Sequence, residues 1–141
     1  MNDFESILAE DGRNSLGRTL EVVDAVLADR SRFDELYLCW FSDDQWVRLR
    51  VSNAVKRVYK VHPEWVAPYL ERLLTETSTI AQPSTKWTMA QLYLWLEAHM
   101  TPKQKRRATD ILKHNLTTDD DWIVQNATFE TLGIWATNDQ E

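Results

Sequence analysis

Apolar positions recur every three to four residues along almost the whole chain. Each lapse in that rhythm carries a capping residue, a proline or a glycine. The pattern predicts eight helices. The first covers about 3–10 and stops at Asp11-Gly12. Asn14 or Ser15 caps a second, to about 29, with Leu16, Leu20, Val23 and Leu27 as its apolar stripe. Ser31 caps a third, to about 41. Ser42 or Asp43 caps the fourth, which runs to about 61 and sets Val47, Val51, Ala54, Val55 and Val58 on one arc. Pro63 opens a fifth, to about 76, with Trp65, Tyr69, Leu70, Leu73 and Leu74 inward and Pro68 bending or delaying its early turns. After a polar loop over 77–83 comes a sixth helix, 84–100. Thr101-Pro102 starts a seventh, to about 115, and Thr118 opens an eighth that reaches Trp135.

The helix openings repeat. Ser42-Asp43-Asp44-Gln45-Trp46-Val47 is restated as Thr118-Asp119-Asp120-Asp121-Trp122-Ile123, with a looser copy at Ser84-Thr85-Lys86-Trp87-Thr88. Three tryptophans thus mark the same point of three helices, 41 and 35 residues apart. Short connections make antiparallel neighbours, so the helices group as four pairs over about 1–29, 31–61, 63–100 and 102–136, in one domain spanning 1–141. The aspartate-rich turn followed by Val47-Arg48-x-x-Val51-x-x-Ala54-Val55 resembles the HEAT repeat family, over about 31–136. What the resemblance implies is an all-α, right-handed α-α superhelix with the second helix of each pair along the concave side, the kind of surface such stacks use for binding.

Composition agrees with an all-α class: 43% of residues are apolar, with only three glycines and four prolines. The single cysteine, Cys39, lies in the longest apolar run, 36–41, and reads as a buried thiol in a reducing compartment. Neither a secretory leader nor a span of about 20 apolar residues is visible, so a cytoplasmic protein with no membrane association is expected. The net charge of -6 conceals a segregation: residues 1–45 carry 4 basic and 11 acidic groups, 46–115 carry 12 and 5, and 116–141 carry 0 and 6. Solvated helix faces account for most such blocks, yet the basic middle is where an acidic partner would bind.

No catalytic constellation and no cofactor motif stand out. His62, His99 and His114 are isolated and sit near helix ends, Asp119, Asp120 and Asp121 read as capping carboxylates, and no metal site is expected. The informative pattern is a row on the second helices, where Arg50, Gln91 and Asn126 stand four residues after Trp46, Trp87 and Trp122. With Asn53 and Arg57 these residues are the candidate partner-binding set, since Trp and Arg dominate binding hot spots. Packing between neighbouring pairs is the competing explanation for the tryptophans, which leaves Arg50 and Arg57 as the better candidates for contacts.

The basic middle and the abundance of tryptophan are also similar to the HEAT-like alkylpurine DNA glycosylases. In that family a Trp-x-x-x-Asp pair on a concave helix sets a carboxylate beside the lesion. Here the fourth residue is Arg50, Gln91 or Asn126, while Trp40/Asp44 and Trp135/Asp139 match as strings across expected helix ends. The sequence therefore favours a non-enzymatic scaffold or adaptor binding an acidic protein or peptide, with a nucleic-acid-binding or DNA alkylation repair protein as the alternative. Finally, Val124, Ala127, Phe129, Leu132, Ile134 and Trp135 lie all round the last helix, so part of it should be covered by a further repeat or, as a homodimer, by a second copy.

Overall fold

The computed structural model describes residues 3–10 and 16–139. Among these the regular structure is helical throughout, with no strand. The α-helices are α1 (Asp3–Ala9), α2 (Thr19–Ala28), α3 (Phe33–Leu38), α4 (Gln45–Val61), α5 (Pro63–Val66), α6 (Leu70–Thr75), α7 (Pro83–Trp95), α8 (Pro102–Thr118) and α9 (Trp122–Asp139). A 3-10 turn at Ala67–Tyr69, built around Pro68, stands between α5 and α6 where one helix is expected. Proline lacks the N–H that a continuous helix needs there. Counted as one, α5 and α6 bring the described helical segments to the expected eight. None is long and apolar enough to cross a membrane.

The chain gathers into two compact units, Met1–Pro68 and Tyr69–Glu141. In the first, α4 packs against α2, α1 and α5, and α1 also meets α3. Val47, Val51, Ala54, Val55 and Val58 are fully buried, as their spacing predicts. Trp40, also fully buried, donates from Nε1 to the Ser52 hydroxyl at 2.8 Å, and that hydroxyl donates to the Arg48 carbonyl at 3.0 Å. Cys39 is buried, its Sγ 3.4 Å from the Glu35 carbonyl.

Two details of this unit differ from the sequence reading. The inward face of α2 is Thr19, Val22, Val23 and Val26, while Leu20 is exposed and Leu27 only half-buried. Apolar residues occupy both sides of this helix, so periodicity alone left its phase open. The caps also shift: Asp29 rather than Ser31 accepts at the third helical segment, and Asp44 rather than Ser42 or Asp43 accepts the Trp46 N–H, at 2.8 Å. At α4 the carboxylate one residue closer to the first turn meets the free N–H groups more directly, whereas the third segment opens earlier, with the 3-10 turn Arg30–Arg32, which moves its cap back to Asp29. The predicted caps Asn14 and Ser15 lie outside the described residues, and α2 begins at Thr19.

In the second unit α9 packs along α7 and α8, and α6 meets α8. The Thr131 hydroxyl donates to the Ala90 carbonyl at 2.8 Å, and the Tyr93 hydroxyl to the Leu73 carbonyl at 2.8 Å. α8 opens with a full capping box between Thr101 and Gln104, with Pro102 at the first helical position. Asp119 precedes α9: its carboxylate accepts the Asp121 N–H at 2.8 Å and pairs with the Lys86 ammonium at 3.0 Å. The Asp121 carboxylate accepts the Ile123 and Val124 N–H groups at 2.9 and 3.1 Å, so this acidic run caps the helix as its spacing suggests.

Candidate functional site

Of the candidate set, the structure removes Arg50 from the surface. Its side chain is fully buried in the first unit, where Nη1 donates to the Leu8 carbonyl at 2.6 Å and to the Glu10 carbonyl at 3.0 Å. Its guanidinium also lies 5.2 Å from the centre of the Trp46 ring. Arg50 thus ties the end of α1 to α4, and the expectation that it serves as a surface contact is corrected. Arg57 is exposed and donates from Nε to the Asn53 side-chain carbonyl at 2.6 Å. Trp46 is exposed and Asn53 half-buried. Around Arg57 the same helix carries Lys56 and Lys60, and the Lys56 ammonium is held below the usual lysine range first by burial and then by those two neighbours.

In the second unit Trp87 and Gln91 on α7 are half-buried, whereas Trp122 and Asn126 on α9 are exposed. Trp135, one of the apolar residues spread round the last helix, is buried, with the Lys105 ammonium 5.5 Å from its ring centre. Because α9 continues to Asp139, no helix end separates Trp135 from that residue, contrary to the sequence reading. Trp40 and Asp44 are separated as expected, one in the 3-10 turn Cys39–Phe41 and the other at the N-cap of α4.

The sequence reading passed over a groove in the second unit with a volume of about 790 Å³. Leu74 and Ile111 give it an apolar floor, and Lys103, Arg106, Arg107 and His114 are placed along α8 around it. Its acidic residues are Glu71, which accepts a hydrogen bond from the Gln104 amide at 3.0 Å, and Asp110. Arg107 makes one long bond, 3.4 Å, to the Leu74 carbonyl. Lys103 and Arg106 make no hydrogen bond or ion pair with any described residue. Arg106 and Asp110 also border a shallower hollow that adds Lys105 and Lys113. The two hollows together gather five basic residues and two acidic ones.

Compared with family models, curated proteins and solved structures, the chain matches none. The chemistry of the site therefore rests on its own residues. No nucleophile with an adjacent base lines the groove, and among the described residues no group of three or more His, Cys, Asp or Glu is placed to hold a metal ion. An apolar floor bordered by Lys103 and Arg106, which have no partner among the described residues, is suited to reversible binding of an anionic chain. The sequence signal for it is Lys103-x-Lys105-Arg106-Arg107, readable as charge but not as a groove.

Proposed function

We propose that the protein is a non-enzymatic, HEAT-like interaction module that binds an acidic protein or peptide. The observation that carries this reading is the placement of Lys103 and Arg106 around a groove, without ion-pair partners among the described residues, on a helix that holds five Lys or Arg against a single Asp. Unpaired cations above an apolar floor gain most from an anionic segment that also brings apolar side chains. Support for the repeat architecture comes from the order of packing inside each unit. In the first, α2 meets α4 and α1 meets α3; in the second, α7 meets α9 and α6 meets α8. Second helices lying on second helices, and first on first, is how stacked helix pairs bury their faces.

The test is a fluorescence-anisotropy titration with a glutamate-rich peptide and, separately, with a short DNA duplex. Wild type should bind the peptide more tightly than the duplex, and Lys103→Glu combined with Arg106→Glu should weaken peptide binding at least ten-fold without altering the circular dichroism spectrum. Tighter binding of the duplex would overturn this reading in favour of nucleic acid, and no binding of either probe would remove it.

A further inference from the structure

α9 is apolar on two opposite sides. Val124, Thr128, Thr131 and Trp135, at helical spacing, form the buried side. The opposite stripe is Trp122, Asn126, Phe129, Gly133 and Ala136, flanked by Ile123 and Ile134. Trp122 is 69% exposed and Phe129 61%, and Ile123 and Ile134 are each 38% exposed. A helix apolar all round is normally covered all round. These four side chains leave on the order of 400 Å² of apolar surface in water, comparable to the largest patch on a typical monomer and often a sign of function.

Gly133 adds a second, independent observation. A Cβ built there would meet nothing within 4 Å, so among the described residues no packed neighbour fills the space that the glycine leaves. Glycine inside a helix is less favourable than any residue but proline, and close approach of another backbone or side chain is the usual return for it. Phe129, one turn earlier on the same stripe, supplies the complementary protrusion.

We propose that this stripe of α9 is the contact between two copies of the chain, related by a two-fold axis with their α9 helices antiparallel. A knob and a hole on one stripe, one turn apart, are self-complementary under such an axis: Phe129 of each copy enters the space over Gly133 of the other. Antiparallel helices also set opposite dipole ends side by side. The stripe and its flanks carry one ionised side chain, Glu130, but residues 116–141 hold six acidic groups and no basic one, so the dimer should tighten as salt screens that repulsion. Doubling the apolar patch and adding its polar border gives roughly 1,000 Å² of buried surface, the low end for a specific pair, so the dimer should be a weak one.

The experiment is sedimentation velocity on the full chain from low to several hundred micromolar. Wild type should pass from monomer to dimer across that range. Phe129→Glu and Gly133→Leu, which respectively charge the knob and fill the hole, should each weaken the dimer at least ten-fold while keeping the wild-type melting temperature or, for Gly133→Leu, raising it. A wild type that stays monomeric throughout, a dimer unaffected by both substitutions, or growth beyond the dimer would overturn the proposal. So would unfolding of both variants, because these positions would then be part of the chain's own core.

Discussion

A Cβ at Gly17 would lie 2.8 Å from the Cζ of Arg50. Gly17 has φ +51°, a conformation that side chains other than glycine rarely take, and the guanidinium beside it is fully buried and held by the Leu8 and Glu10 carbonyls. The tip of an arginine in water would simply move aside, but here moving it breaks two charge-assisted hydrogen bonds.

Gly17→Ala is therefore expected to cost about 2–4 kcal/mol, the sum of left-handed strain and weakened bonds to Arg50. Arg50→Met should cost at least as much, since it leaves the two carbonyls with fewer donors. Chemical denaturation of both variants measures this. A loss below half a kcal/mol in either would show that the Gly17 and Arg50 contact contributes little.

Val51→Asp should lower the melting temperature sharply. Val51 is fully buried on the inward arc of α4, and an unpaired carboxylate there costs about 3–5 kcal/mol against a total stability on the order of 5–15. Retention of the wild-type melting curve would contradict the core described for the first unit.

Asp119 links acidity to the start of α9. The Asp121 N–H, followed by the Lys86 ammonium, holds its carboxyl below the usual aspartate range. A carboxylate with a lowered folded pKa adds stability above its unfolded value and loses it as pH falls through the lowered folded value. Asp119→Asn should thus be less stable than wild type by about 1 kcal/mol at neutral pH, and the gap should close below about pH 4. A gap that persists unchanged in acid would mean that the charge is not the source of the difference.

Incubation with methylated duplex DNA should release no free base. Four residues after the helix-opening tryptophans stand a buried arginine, Arg50, and the amides Gln91 and Asn126, none of which can act as a carboxylate beside a lesion. Release above a heat-killed control would restore the repair reading.

Much of the helical architecture was legible because the cues are local. Thr101, Pro102 and Gln104 form their capping box from neighbours in sequence, and Val47 to Val58 keep one phase through a single unbroken helix. The phase of α2 was not legible, since Leu20 and Val22 are both apolar and packing against α4, α1 and α3 decides which turns inward. The groove was less visible still: the basic run beginning at Lys103 is plain, but its meeting with Leu74 and Glu71 depends on how α6 lies against α8.

The sequence by itself determined how many helical segments form, that no strand competes with them among the described residues, and that charge is segregated along the chain, because capping, proline geometry and periodicity act within a few residues; the ends moved, with α2 starting at Thr19 and α9 running from Trp122 to Asp139. Tertiary structure decided what each polar residue does. Arg50 and Arg57 are alike in sequence, two turns apart on the same helix, yet one meets the carbonyls ending α1 and the other meets water. Trp122 and Trp135 are likewise both on α9, one exposed and one buried. The difference lies in which neighbour stands opposite, and that neighbour comes from a distant part of the chain.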